Sequence, residues 1–334
     1  MEKPDEEKGR KLLLQIANEN QWKYEPVENR DLDNENYLSY VGVIYNIGAL
    51  YAAHDHNYEK ALEWFLKAAE HGHALAEFNI GGLYFNGMGV EKDDEVSLEW
   101  YRRSASGGYP KSQFYVGKML LNKANGLPVT TVPSHKVQLV TEAIQNLEMA
   151  ALQGVQDAQL YLAHLYMQGQ LVKQDMKQAI ALLTQLAKKG NVTAQSNLGA
   201  FYMSGVKDVL PKDRAIGAQW LSKAAAYGDV SAQYNLGVYH YECKEYEKSM
   251  NWYMKAANQG YFHAERCMGL LYLKGEGTTQ DYPKAMDYLK KATSKGDSFA
   301  MKILAVMYRD GLGVEKDLNV AEQWRPMAHQ YEKK

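Results

Sequence analysis

The stretch ALAEFNIGGLYFNG, residues 74–87, recurs along the chain with its small residue and its tyrosine in fixed places. Set beside TAQSNLGAFYMSG (193–205), SAQYNLGVYHYEC (231–243) and HAERCMGLLYLKG (263–275), it gives the pattern small-x-x-x-apolar-Gly-x-x-Tyr, with His240 at the tyrosine place of the run 231–243. The small anchor falls at Gly48, Gly81, Gly117, Ala163, Gly199, Gly237, Gly269 and Ala305, with spacings of 33, 36, 46, 36, 38, 32 and 36 residues. A period near 36, with one large insertion, marks a stacked repeat array.

A second run follows each of these segments, as in ALEWFLKAAEHG (61–72), GAQWLSKAAAYG (217–228) and SMNWYMKAANQG (249–260). Both runs repeat their apolar residues at three and four positions, which predicts helix and not strand. Each repeat therefore reads as a hairpin of helix A and helix B. Gly72, Gly154, Gly190, Gly228, Gly260 and Gly296 end helix B, where the absence of Cβ permits a left-handed cap. Between the helices, GMGVEKDDEVSLEW (87–100) and GLGVEKDLNVAEQW (311–324) carry a Gly-x-Gly turn and then an acidic residue. Asp93, Asp175, Asp213, Asp281 and Asp317 stand there as expected N-caps of helix B. A phosphate loop is excluded, because no strand precedes the Gly-x-Gly turn and no Lys-Ser/Thr follows it.

The small anchor is expected to let helix A approach helix B closely. Tyr51, Tyr84, Tyr166, Tyr202, Tyr272 and Tyr308 would fill the space one turn later, with Trp64, Trp100, Trp220, Trp252 and Trp324 packing across the groove. This packing accounts for the 25 tyrosines. One hairpin cannot bury both of its faces, so the hairpins must stack and stability becomes a sum over neighbours.

These residues resemble Sel1-like repeats, a branch of the tetratricopeptide-type helical hairpins whose distinguishing mark is the Gly-x-Gly-Val-x-x-Asp linker. The resemblance covers residues 40–330. It implies an all-α fold, an α–α solenoid of about eight hairpins in a right-handed superhelix, with a concave face lined mostly by helix A. It also implies a place among adaptor, signalling and host-interaction proteins, many of them bacterial. The repeats are expected at about 36–72, 73–108, 109–154, 155–190, 191–228, 229–260, 261–296 and 297–334. Residues 1–32 match no full repeat, and EEKGRKLLLQIANEN is expected to supply an amphipathic capping helix and linker.

Three features depart from the pattern. The third repeat lacks the linker, and its NKANGLPVTTVPSHKVQL (122–139), with two prolines and polar residues, is expected to form a surface loop, either a partner contact or a plain insertion. The same repeat has Asn146 in place of Trp, and the sixth (GVYHYECKEYEKSMNW, 237–252) shortens the turn.

Two residues before the anchor, helix A carries Asn46, Asn79, Asn197 and Asn235. In related tetratricopeptide repeats this position can face the groove and hold a peptide backbone or carboxylate; Asn both donates and accepts, so a ladder of amides suits an extended chain. The alternative is that these amides bond the neighbouring helix and only shape the array. Groove positions three before and one or four after the anchor include Tyr45, Phe78, Phe85, Phe114, Lys118, Leu121, Leu160, His164, Met167, Met203, Tyr234, Tyr241, Arg266, Leu273 and Arg309. Aromatic and methionine surface flanked by charge suits a protein partner; packing between repeats is the competing reading. HDH (54–56) and HGH (71–73) lie too far apart along a helix to share a metal, and each alone has too few ligands, so surface histidines and no cofactor are expected.

Composition narrows the classes of partner. The net charge of −2, from 38 basic and 40 acidic residues, offers no field for nucleic acid or an anionic membrane. No segment reaches the ~20 apolar residues of a membrane span, and the N-terminus does not read as a signal peptide. A cytoplasmic location is expected from the sequence as it stands, or a periplasmic or secreted one if a signal has been removed. Cys243 and Cys267 fall at different heights on equivalent helices and are expected as partly buried, unbridged thiols. There is no nucleophile elbow, no HExxH and no acid pair beyond the caps, so an enzyme is not expected. The expected function is a monomeric, non-enzymatic scaffold or adaptor that binds a peptide or protein partner in the concave groove, with no small-molecule substrate. The alternative is a bacterial immunity or regulatory protein that sequesters one toxin or enzyme.

Overall fold

The computed structural model describes residues 11–15, 35–128 and 133–324, and these are all-α, arranged as consecutive helical hairpins. The described residues up to Gln174 form one compact body and those from Asp175 a second. The first body contains α1 (Glu35–Ala53), α2 (Tyr58–Ala69), α3 (Ala74–Asn86), α4 (Asp94–Ser106), α5 (Pro110–Gly126), α6 (Pro133–Leu152) and α7 (Gln156–Gln168). The second contains α8 (Met176–Lys188), α9 (Val192–Ser204), α10 (Arg214–Ala226), α11 (Val230–Glu242), α12 (Tyr246–Asn258), α13 (Phe262–Lys274), α14 (Tyr282–Ser294) and α15 (Ser298–Asp310), followed by helical residues 318–324. Odd-numbered helices are the A helices and even-numbered ones the B helices. Residues 11–15 are helical; the rest of the expected capping helix lies outside the described residues.

The helix ends are built as the linker residues dictate. Asp93 Oδ1 accepts from the backbone of Glu95 at 2.9 Å and Val96 at 3.0 Å, and Asp175, Asp213, Asp281 and Asp317 cap their helices in the same way. The cap is also tied backwards. The Asp93 amide donates to the carbonyl of Tyr84 at 3.0 Å, and Asp213, Asp281 and Asp317 donate to Tyr202, Tyr272 and Tyr308, each at 2.9 Å. One aspartate thus starts helix B and joins it to the last turn of helix A. The glycines that follow helix B have φ between 74° and 90°, left-handed as expected. Gly89, the second glycine of its turn, has φ 69°, and a Cβ there would lie 2.6 Å from the Tyr58 carbonyl carbon at the start of α2. The linker therefore rests on the preceding hairpin.

Inside each hairpin the small anchor admits the helix-B residue that follows the Trp position. A Cβ on Gly48 would meet the Phe65 ring at 2.7 Å, and one on Gly237 would meet Tyr253 at 2.4 Å. Gly81, Gly117, Gly199 and Gly269 hold Tyr101, Leu147, Leu221 and Leu289 in the same manner. Each is the residue after the Trp position, and Leu147, Leu221 and Leu289 are completely buried. Truncating one to Ala would cost about 2–5 kcal/mol. Trp64, Trp100, Trp220 and Trp252 are half-exposed instead, each with a cation from its own helix over the ring: Lys67 on Trp64 at 4.2 Å, Arg103 on Trp100 at 4.6 Å, Lys223 on Trp220 at 4.3 Å and Lys255 on Trp252 at 4.1 Å. Hydrocarbon stems and charge over the ring faces remove the need to bury them.

The third hairpin departs from expectation more sharply. Residues 122–126 complete α5 and residues 133–139 open α6, so most of the supposed loop is helix. These helices have 17 and 20 residues against 13 in most others, and Pro133 occupies the first position of α6, where its missing N–H costs no bond.

Successive hairpins are stitched at one recurring site four residues before the anchor. The Gln195 amide donates to the Ala187 carbonyl at 3.0 Å, and Gln159 to Ala151 at 2.9 Å, satisfying the end of the preceding helix B. The amide oxygen then accepts from the end of the same hairpin's helix B: Gln153 donates to Gln113 at 2.8 Å and Gln259 to Gln233 at 2.9 Å. Glu77 and Glu265 cannot donate, and the roles redistribute. Arg103 and Lys295 pair with the two carboxylates at 3.2 and 2.6 Å and themselves bond Ala69 O and Gly260 O. At the corresponding end of α10 stands Tyr227, 78% exposed, and Gln195 Oε1 is buried without a partner among the described residues.

Candidate partner-binding face

The four asparagines do not behave alike. Asn79 donates its amide to Tyr45 Oη at 3.3 Å, a bond between consecutive A helices. Asn46 is exposed, Asn197 and Asn235 are half-buried, and none of these three side chains has a hydrogen-bond partner among the described residues. Three amides of the ladder are thus open to an outside partner and one is committed internally.

The residues three before the anchor pack hairpin against hairpin. Tyr45 stacks on Phe65 at 5.7 Å and His73 at 4.7 Å; Phe78 meets Tyr101, Tyr109 and Tyr115 at 5.1–5.8 Å; Tyr234 meets Tyr253 at 5.7 Å and Tyr261 at 5.2 Å. Where this position is polar, Ser196 donates to Asp229 at 2.8 Å and Arg266 to Asp297 at 2.7 Å. His73, Tyr109, Asp229, Tyr261 and Asp297 all occupy the N-cap of the next A helix. The pairing is matched in kind, ring on ring and donor on carboxylate. Asp297 is 3% exposed and also accepts from the Ala300 amide at 2.8 Å, so it joins Arg266 and caps α15 at once.

The remaining candidates divide between engaged and open. Leu121 is completely buried and belongs to the core, a correction to its placement in the groove that follows from the lengthened α5. Phe114 meets Tyr161 edge to face at 6.3 Å, Phe85 carries Lys92 over its ring, and Tyr241 donates to Glu276 at 2.9 Å and accepts from Lys274 at 3.1 Å. Arg309 is paired with its neighbour Asp310. Leu160, Met167, Met203 and Leu273 are half-buried. Lys118 and His164 are exposed and without an ion pair among the described residues. Sequence reasoning missed Tyr115 and Tyr161, which occupy the asparagine position in the third and fourth repeats, and Lys111, one heptad before Lys118. That seven-residue interval places both lysines on one helix face and was the available signal.

His54 and His56 are exposed as expected, but His71 is half-buried and His73 is too. Nδ1 of His73 accepts from the Ala76 amide at 3.1 Å and caps α3, and burial lowers the His73 pKa below the ordinary histidine value. No group of three or more metal-ligating side chains occurs among the described residues. Cys243 is exposed, contrary to expectation, because the shortened turn puts it just outside α11; Cys267 is half-buried with its pKa raised by burial, and neither is bridged. None of the described helices is long and apolar enough to cross a membrane.

Comparison with known proteins agrees with this geometry. A crystal structure of a Sel1 repeat protein from Oxalobacter formigenes superposes with a TM-score of 0.65 at 25% identity, covering 95% of this chain and 90% of that one. A sel1-like repeat-containing protein of Acanthamoeba polyphaga mimivirus is 29% identical over 93 residues; the match takes in 28% of this chain and 17% of that relative's length. An immunity protein from Pseudomonas aeruginosa aligns over 65% of this chain and 82% of its own at 23% identity, with a TM-score of 0.41, too low to carry any functional argument. The Sel1 repeat model matches residues 38–73, 74–109, 156–191, 192–229, 230–261, 264–297 and 298–324, and passes over the lengthened third hairpin. With most of its length matched in this way, the chain belongs to the Sel1 repeat family.

Proposed function

We propose that this chain is a non-enzymatic scaffold that holds a protein or peptide partner against the helix-A faces of its hairpins. Sel1 repeat proteins are protein-interaction scaffolds, and the family is generally non-catalytic. The observation that carries the reading to particular residues is the set of amides at Asn46, Asn197 and Asn235, repeated at one position per hairpin and without internal partners. A side-chain amide that both donates and accepts is suited to a peptide backbone, and its recurrence on α9 and α11 of the second body suits a partner that crosses both helices. Capture of the partner from the native organism, followed by titration against the Asn46→Ala, Asn197→Ala, Asn235→Ala triple variant, tests this. Affinity should fall at least tenfold with helicity unchanged, whereas unchanged affinity removes the amide face from the mechanism.

A further inference from the structure

Resting on that reading, we infer that the A-helix face of the first body takes an extended acidic peptide, held where it crosses α5 between Lys111 and Lys118. The position two before the anchor presents Asn79, Tyr115 and Tyr161 on α3, α5 and α7. Tyr115 and Tyr161 are half-buried, and their phenols have no hydrogen-bond partner among the described residues. Packed helices lie ~8–10 Å apart, and an extended chain advances ~3.3 Å per residue, so such a row meets a crossing peptide about once every three residues. A helical partner satisfies its own backbone and has no use for that spacing.

Charge names the peptide. Across α3, α5 and α7 the carboxylates are Glu77, buried against Arg103, and Asp157, while α5 carries Lys111, Lys118 and Lys123 and no acid. Lys123 is neutralised by Glu95 at 2.7 Å. Lys111 and Lys118 are exposed and have no ion-pair partner among the described residues. Seven residues apart, they stand ~10 Å from one another along one face of α5 with Tyr115 between them. Side chains of Asp or Glu on a strand passing over Tyr115 would reach one lysine on either side. Beneath the path, Tyr101 stacks on Tyr115 at 5.1 Å and Phe114 meets Tyr115 at 5.5 Å, an aromatic floor for the peptide's apolar atoms.

The test is to pan a random peptide library on the purified full-length chain and measure synthetic winners by fluorescence anisotropy. The winners should be enriched in Asp and Glu and should weaken as salt rises. The Lys111→Ala, Lys118→Ala double variant should bind them about tenfold less well with an unchanged circular dichroism spectrum, and the double Lys→Arg variant should retain affinity. Winners of neutral or basic composition, or indifference to the double alanine variant, overturn the acidic-peptide inference and leave the scaffold reading standing. Failure of any peptide to bind overturns the inference and the peptide form of the scaffold reading together.

Discussion

His73 shows how much one side chain can carry in a repeat protein. It caps α3 through a neutral ring nitrogen, stacks on Tyr45, and has its pKa lowered by burial. A base with a depressed folded pKa binds its proton more readily when unfolded, so its contribution is present above the unfolded value of about 6.5 and is lost as pH falls through the folded value. His73→Asn keeps a capping acceptor that does not titrate. Thermal unfolding of the two proteins from pH 7.5 to 5 should show wild type losing more stability than the variant; parallel curves would mean that His73 is no acid-sensitive cap. The caps at Asp93, Asp175, Asp213, Asp281 and Asp317 were fully legible in the sequence, because a cap is a local event decided by one carboxylate and the next three amides. The inward aromatic was less so. Trp64 and Phe65 sit only 100° apart on a helix, and the sequence pattern marks the recurring Trp and not the variable residue after it. Lys67 over the indole supplies what burial would have supplied, and the small anchor then receives Phe65.

At the scale of the helix, periodicity fixed hairpins, linkers and glycine ends, and failed at the third repeat, where proline was read as a breaker. Proline breaks a helix from within and starts one at its first position, and Pro110 and Pro133 both do the latter. The stitch between hairpins was invisible for a different reason: its members are split between Gln, Glu, Arg and Lys, and only three-dimensional proximity shows that they exchange the same bonds. The stitch has a missing member at Tyr227. Tyr227→Gln would place an amide where Gln153 and Gln259 donate to Gln113 and Gln233, and give Gln195 Oε1 its donor. Differential scanning calorimetry should show the variant more stable by about 1 kcal/mol. A melting temperature equal to or below that of wild type would indicate that the orphaned oxygen costs nothing.

For the whole molecule, fold and family were written in the spacing of eight anchors, whereas the binding face was only half legible. Every residue three before the anchor looked like groove surface in one dimension, yet the N-cap of the next A helix claims most of them, as with Tyr45, Phe78, Tyr234 and Arg266. What remains open is Asn46, Tyr115 and Tyr161 in the first body, with Lys111 and Lys118 on either side of Tyr115, and Asn197 and Asn235 in the second. The claim that a partner lies on the A helices is tested most directly by hydrogen–deuterium exchange of the chain with and without its captured partner. The expected result is slowed exchange in α1, α5, α7, α9 and α11 with α2, α4, α6, α10 and α12 unchanged. Protection confined to the B helices would contradict the account.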